Sequence, residues 1–174
     1  ETALQQTICR EGTAVLTDRQ NLLLQPGKSR TVSFRYCVDS PALWSPENPN
    51  LYTSTMQVLE GEEELDREET GFGIRTLSID AAHGVRINGQ TVKLRGACIH
   101  HDNGILGAAT LPDAEERRIR QLKEAGFNAI RSSHHPAGRA LLDACNRYGV
   151  LVMDELSDVW NVRKNPYDYA LYFE

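Results

Sequence analysis

Three short apolar runs alternate with two amphipathic segments between Leu94 and Glu155, and this alternation constrains the fold more than any other feature of the chain. The apolar runs cover residues 94–98, 127–131 and 150–153. Buried strands that alternate with helices are typical of β-α units, in which successive strands pair in parallel. We therefore predict a parallel sheet in which these three runs are neighbouring strands.

The two amphipathic segments carry signals for the ends of helices. Asp113, with Glu116 three residues later, predicts a capping box at the start of the first helix. Gly126 and Gly149 are predicted to end the two helices, because glycine readily adopts the left-handed conformation that closes a helix. From Ser157 onward we expect a loop and the beginning of a further helix.

The first part of the chain, residues 1–79, is predicted to consist of β-strands. Candidate strands cover residues 2–9, 19–24, 31–38, 64–69 and 74–79, with another after Tyr52. Residues 31–38 alternate apolar and polar side chains, which indicates a half-buried strand. Short strands separated by turn signals favour an immunoglobulin-like β-sandwich.

Residues 80–174 are predicted to form a second domain of the α/β type. It begins with a hairpin over residues 85–94, in which Asn88-Gly89 supplies the two positive-φ positions of a type I′ turn. The predicted parallel strands and helices follow this hairpin. The chain is therefore expected to contain a β domain and an α/β domain.

The composition is that of a globular protein, with 40% hydrophobic and 25% charged residues. The net charge is −5, and no basic patch is present to neutralise phosphates, which argues against nucleic-acid binding. No apolar run is long enough to cross a membrane. Neither an initiator methionine nor a signal peptide is present, so we expect a piece of a longer protein of unknown compartment.

The four cysteines, Cys9, Cys37, Cys98 and Cys145, show no Cys-x-x-Cys spacing that would indicate a zinc site. We expect buried free thiols, since Cys98 lies at a strand end and Cys145 on the apolar face of a helix. A disulfide between Cys9 and Cys37 is the alternative for the first domain.

Polar side chains follow each of the three predicted parallel strands. They are His100, His101 and Asp102 after the first strand, Arg131, His134 and His135 at the second, and Asp154 and Glu155 after the third. Because parallel strand ends meet at one mouth, we expect these side chains to form one cleft. By residue type alone, such a cleft suits either a divalent metal ion or the hydroxyl groups of a polar ligand.

Several motifs, in a fixed order, resemble those of family 2 glycoside hydrolases. They lie at residues 43–52, 71–75, 87–90, 94–96, 100–109, 128–134 and 154–155, so the similarity covers most of the chain after about residue 40. The segment His-His-Asp-Asn-Gly, followed by Leu-Gly-Ala-Ala, is most similar to β-galactosidases. β-Glucuronidases and β-mannosidases are the neighbouring alternatives.

The resemblance implies an immunoglobulin-like β-sandwich followed by the first β-α units of a (β/α)₈ barrel. It also implies retaining hydrolysis of terminal β-glycosides by two glutamates. In the family both glutamates come from later barrel strands, and neither has a counterpart before Glu174; by motif, Glu155 is neither of them. We therefore expect a fragment that contains no catalytic residue and has no hydrolase activity of its own.

The resemblance also assigns roles to residues at the predicted cleft. His100 and His134 match sugar-contacting histidines, and Arg131 matches the arginine that orients the nucleophile. Asp154 and Glu155 match the acidic pair of the third strand, which lies near the sugar pocket. A carbohydrate is therefore the expected ligand.

We expect neither a metal ion nor another cofactor. Some members of the family bind magnesium through an acidic residue and a histidine, and these positions are Val159 and Asn161 in this chain. An open barrel edge is expected to cause self-association of the fragment. The alternatives are a non-catalytic carbohydrate-binding or structural module, and a metal-dependent hydrolase built on the histidine pairs.

Overall fold

The structure is a computed structural model that describes residues 2–156 and Pro166. The segment from Ser157, for which a loop and a helix start are predicted, otherwise lies outside the described residues. The chain divides into two compact units, Glu1–Trp44 with Asn50–Arg75 and Ser45–Pro49 with Thr76–Glu174. No described helix has the length and apolar character needed to span a membrane.

The first unit contains an antiparallel sheet with the strand order β2-β1-β3-β4. The strands are β1 (Thr2–Arg10), β2 (Thr13–Leu22), β3 (Tyr52–Glu60) and β4 (Glu63–Phe72). Gly12 and Gly61 have φ angles of 78° and 63° in the two-residue loops that join β1 to β2 and β3 to β4. Strand β2 thus starts six residues before the predicted strand 19–24, because a tight Glu-Gly turn follows β1 directly.

The prediction of a strand at residues 31–38 is wrong, because the backbone of this segment does not pair with another strand in the described part of the chain. Its apolar side chains are nevertheless half-buried and its polar ones exposed, as the alternation predicts. Tyr36 faces Ile8 and Phe72 of the sheet across an apolar cavity of 280 Å³, and its hydroxyl donates to Asp18 over 3.1 Å. The segment therefore forms the second layer of this immunoglobulin-like domain without pairing as a strand.

Trp44 is buried in the first unit, where its backbone N–H donates to the carbonyl of Ile74 over 2.8 Å. The guanidinium of Arg75 lies 4.6 Å from the ring centroid, a cation–π distance. A Cβ added at Gly73 would lie 2.7 Å from the Trp44 Cβ, so packing requires glycine there. Gly71 and Phe72 are the last two residues of β4, and Gly73 follows them next to this tryptophan.

Among its described residues, the second unit contains two three-stranded sheets. The first is antiparallel and comprises β5 (Leu77–Asp80), β6 (Gly84–Ile87) and β7 (Gln90–Thr91). Asn88 and Gly89 have φ angles of 52° and 77° between β6 and β7, so the predicted turn is confirmed.

The second sheet is parallel, with the order β10-β9-β8, and confirms the predicted pairing of the three apolar runs. Its strands are β8 (Gly96–Ile99), β9 (Ala129–Ser132) and β10 (Leu151–Met153). Helix α1 (Pro112–Glu124) connects β8 to β9, and helix α2 (Arg139–Tyr148) connects β9 to β10. A 3₁₀ turn, Gly104–Leu106, precedes α1.

The predicted capping box at Asp113 is wrong. Helix α1 begins at Pro112, with Leu111 as the N-cap residue and no side-chain cap. Proline lacks an N–H and has a helical φ angle, which makes it well suited to the first helical position. Glu116 instead accepts a hydrogen bond from the Tyr148 hydroxyl over 3.0 Å, and so joins α1 to α2.

Both helices end at the predicted glycines, Gly126 (φ 88°) and Gly149 (φ 68°), but their surroundings differ. A Cβ added at Gly126 would meet nothing within 4 Å, whereas one at Gly149 would clash with the backbone carbonyl of Pro46. The ammonium of Lys123 donates to the carbonyl oxygens of Pro46 and Gly149, over 2.6 and 3.1 Å. The end of α2 is therefore held closely against the Ser45–Pro49 segment of the same unit.

The two helices cover one face of the parallel sheet. The buried core there consists of Ile119, Ile130, Leu141, Ala144, Cys145 and Val150. Cys98, Arg131 and Met153 are in register on the opposite face and are exposed. The prediction of a buried Cys98 is therefore wrong, because this side chain lies on the face away from the helices; Cys145 is buried as predicted. All four cysteines are free thiols, so Cys9 and Cys37 form no disulfide.

Candidate functional site

The carboxyl ends of β8, β9 and β10 bring the predicted polar clusters together. Cys98 is paired in register with Arg131, and Arg131 with Met153. The residues that come after the three strands therefore leave the sheet at the same edge. This edge carries His100, His134, Asp154 and Glu155.

The histidines form two pairs, and each pair contains one residue from each cluster. The rings of His100 and His134 lie 5.1 Å apart between centroids, and both side chains are exposed. The rings of His101 and His135 stack at 4.2 Å, with Nδ1 of His101 3.1 Å from Nε2 of His135. Burial, and to a smaller extent His135, lowers the pKa of His101, which favours a neutral His101 ring in the hydrogen bond of the inner pair. The outer pair is the more exposed of the two.

Glu155 joins the second and third strands through both oxygens of its carboxylate. One oxygen forms an ion pair with the guanidinium of Arg131, and the other accepts the backbone N–H of His134 over 2.6 Å. The bond from His134, followed by the interaction with Arg131, holds the pKa of the Glu155 carboxyl below its usual range. Glu155 is therefore ionised near neutral pH and bridges the Arg131 side chain and the His134 backbone.

His134 has a φ angle of 80°, in the left-handed region that non-glycine residues rarely adopt. Such a conformation persists only where surrounding contacts enforce it, and it is concentrated at functional sites. The bond to Glu155 is one of these contacts. The backbone conformation of His134 is thus stabilised by a residue that follows the neighbouring strand β10.

Cys98 also belongs to this site, and sequence reasoning missed it. Its Sγ accepts a hydrogen bond from Nη1 of Arg131 over 3.4 Å. This bond lowers the pKa of the Cys98 thiol. The available signal was its position two residues before His100, on the strand face opposite to Ile99, which packs against the core.

Asp154 is exposed at the same edge, and its Oδ1 accepts the backbone N–H of Ala137 over 2.8 Å. It therefore helps to fix the loop that leads from His134 into α2. Within residues 2–156 and Pro166, no group of three or more His, Cys, Asp or Glu side chains is placed to hold a metal ion. Val159 and Asn161 lie outside the described residues, and the valine carries no metal-binding atom.

A β domain followed by parallel β-α units, with histidine, arginine and acidic residues at the strand ends, is the arrangement of a barrel enzyme. Comparison with known protein families identifies the family to which such an enzyme would belong. Residues 1–75 match the family described as glycosyl hydrolases family 2, and residues 81–167 match the TIM barrel domain of that family. The chain therefore belongs to glycosyl hydrolase family 2.

Curated relatives include β-galactosidases and β-glucuronidases. The chain is 44% identical over 163 residues to the β-galactosidase BoGH2A of Bacteroides ovatus, and the match covers 94% of this chain and 19% of the relative. It is 27% identical over 157 residues to a β-glucuronidase of Bacteroides fragilis, with coverage of 89% and 23%. The chain thus spans about a fifth of the length of these relatives.

Solved structures give the same result. A family 2 glycosyl hydrolase from Bacteroides cellulosilyticus superimposes with a TM-score of 0.92 at 42% identity, over 99% of this chain and 22% of that one. The β-glucuronidase of Bacteroides uniformis superimposes with a TM-score of 0.86 at 32% identity, over 95% and 20%.

Proposed function

We propose that this chain is part of a retaining β-glycosidase that hydrolyses terminal β-linked galactosides. It would supply the immunoglobulin-like domain, residues 1–79, and the first units of the catalytic barrel, residues 80–174. The observation that carries this proposal is the exposed pair formed by His100 and His134, 5.1 Å apart, at the shared ends of parallel strands. A neutral imidazole has one donor and one acceptor nitrogen, so the two rings can bind adjacent hydroxyl groups of a sugar.

The charges at this edge favour a neutral sugar over a glucuronide. A glucuronide carries a carboxylate, but the guanidinium of Arg131 is already paired with Glu155, and Asp154 adds an exposed negative charge. Like charges brought together discriminate against a ligand. β-Glucuronidase and β-mannosidase are the other candidates.

We assign different roles to the remaining residues of the site. Asp154 is exposed, and we assign it a contact with the sugar. Both oxygens of Glu155 bond to the protein, so this residue would orient Arg131 and His134 rather than contact the sugar itself. Arg131 would in turn orient the nucleophilic carboxylate supplied by a later strand of the barrel.

The 174-residue chain is expected to bind methyl β-galactoside weakly, and His134→Ala should remove this binding. The substitution deletes one of the two rings that form the outer pair. His83→Ala is the matched control, because His83 bonds to Asp80 in the hairpin turn between β5 and β6. Calorimetric titration measures the three affinities. Equal affinities in all three proteins would place the sugar elsewhere and favour the non-catalytic carbohydrate-binding module.

The same chain is expected to show no hydrolysis of a nitrophenyl β-galactoside above the buffer rate. Retaining hydrolysis needs an acid/base and a nucleophile, and neither glutamate of the family motif is present in this sequence. Release of nitrophenol is followed by absorbance, with Glu155→Gln assayed in parallel. Turnover that Glu155→Gln abolishes would contradict our assignment of Glu155, and turnover that depends on added zinc would favour the metal-dependent hydrolase.

We further propose that two copies of the chain associate through the parallel sheet. Strands β8 and β10 are the outer strands of this sheet within residues 2–156, and Met153 is 63% exposed on the face away from the helices. Outer strands with unpaired backbone groups and apolar side chains promote pairing between chains. Light scattering should give a dimer that Met153→Glu weakens, whereas Leu23→Glu, at an 83% exposed position in the first unit, should not. A monomer for the unmodified chain would contradict the proposal.

A further inference from the structure

A buried charged network lies on α1, behind the loop that carries His100. The side chain of Glu115 is 0% exposed. Its Oε1 accepts a hydrogen bond from Nδ2 of Asn103 over 2.8 Å, and its Oε2 lies 3.6 Å from Nη1 of Arg118. Burial of a carboxylate is unfavourable unless a cation or hydrogen bonds compensate for it. Arg118 and Asn103 provide this compensation.

The guanidinium of Arg118 is bonded to three successive parts of the loop that follows β8. It donates to the carbonyl oxygens of His100 and Asp102 over 3.0 and 2.6 Å, and to Oδ1 of Asn103 over 2.5 Å. Loop carbonyls near the protein interior need such partners, and the planar guanidinium can satisfy several of them together. Its side chain is 17% exposed, so water competes little for these bonds.

Asn103 extends the same network to the far end of the loop. Its side chain donates to the carbonyl of Ala109 over 3.0 Å, and its backbone N–H donates to the carbonyl of Gly107 over 2.8 Å. The loop at residues 100–109 is therefore closed on itself and attached to α1 through Arg118 and Glu115. These contacts place its backbone, including that of His100, relative to the helix.

We propose that Arg118 is a positioning residue for His100 and that buried Glu115 holds Arg118 in place. This inference rests on the proposed sugar-binding function of His100 and His134. The His100 side chain is exposed, so its distance from His134 depends on where the backbone places it. Misplacement of a binding group by about 1 Å is sufficient to impair a preorganised site.

The test compares Arg118→Met with Arg120→Met. Methionine keeps an unbranched apolar side chain and removes the guanidinium. Arg120 lies on the same helix, is exposed, and pairs with Glu124 at 4.0 Å. We expect Arg118→Met to shift the imidazole NMR signals of His100 and to weaken the nuclear Overhauser effect between His100 and His134. Arg120→Met should change neither of these signals. The affinity for methyl β-galactoside should fall at least about tenfold in Arg118→Met alone.

Two further variants keep the inference testable if Arg118→Met does not fold. Glu115→Gln combined with Arg118→Met removes both charges, so that no unpaired carboxylate stays buried. Arg118→Lys keeps a cation at this position, so its His100 signals should lie closer to those of the unmodified chain than the signals of Arg118→Met do. Unchanged His100 signals in the folded double variant would overturn the inference. Absence of sugar binding by the unmodified chain would instead refute the proposed function, since the His100 signals report position without a ligand.

Discussion

Gly149→Ala is expected to lower the free energy of unfolding of the second unit by about 2–5 kcal/mol. A left-handed conformation costs a non-glycine residue about 1–2 kcal/mol. The added Cβ would also meet the Pro46 carbonyl group, whose carbon would lie 2.9 Å away. Forcing an extra methyl group into a packed contact typically costs about 1–3 kcal/mol. The backbone of Ser45–Pro49 would have to move, and the bonds from Lys123 would weaken.

Gly126→Ala is the matched control for this experiment. Gly126 also ends a helix and has a φ angle of 88°, but a Cβ there would meet nothing within 4 Å. We therefore expect only the conformational cost of about 1–2 kcal/mol. Urea unfolding followed by circular dichroism at the helical minimum reports on the second unit, because α1 and α2 both lie there. Equal losses in the two variants would show that the contact with Pro46 contributes nothing.

Iodoacetamide is expected to alkylate Cys98 faster than Cys37, and both far faster than Cys145. The thiolate is the reacting form, and the hydrogen bond from Arg131 lowers the pKa of the Cys98 thiol. Burial raises the pKa of Cys145 to about 12, so only about 1 in 10⁴ of these thiols is ionised at pH 8. In the reaction the sulfur displaces iodide from carbon. Mass spectrometry of the peptides over time gives each rate.

Arg131→Met tests the cause of this reactivity. Removal of the guanidinium should raise the pKa of Cys98, so its alkylation rate should rise at a higher pH than in the unmodified chain. Cys37 is exposed in the first unit and should show no change, which makes it an internal control. Bound methyl β-galactoside should slow the reaction at Cys98 if the sugar lies at this edge. An unaltered pH profile for Cys98 would show that Arg131 does not activate the thiol.

The parallel sheet was predictable because each apolar run is short and is bounded by a strong signal. Gly126 and Gly149 mark the points where the helices end, and the next strand follows within a few residues. The proximity of His100 and His134 follows from the same order, since neighbouring parallel strands end at one edge. Residues 31–38 show the limit of this reasoning, because periodicity predicts which side chains are buried and not which backbone groups pair.

The buried network on α1 was not predicted, although a signal was available. Glu115 lies four residues before Ile119, on the apolar face of the helix, with Arg118 three residues later. Glutamate in a first helical turn is usually exposed, so composition alone gives no reason to bury it. The bond from His134 to Glu155 was also missed, since it depends on a left-handed backbone that the histidine itself does not indicate.

The double engagement of Glu155 has a consequence for how the sugar preference of such a protein could be altered. Any substitution there would disturb an arginine and a histidine from the adjacent strand simultaneously. Asp154 is bonded to the backbone of Ala137 through one oxygen and is exposed, so it can be replaced with fewer effects on its neighbours. Selection for new substrates should therefore retain the glutamate and accumulate changes at the aspartate beside it.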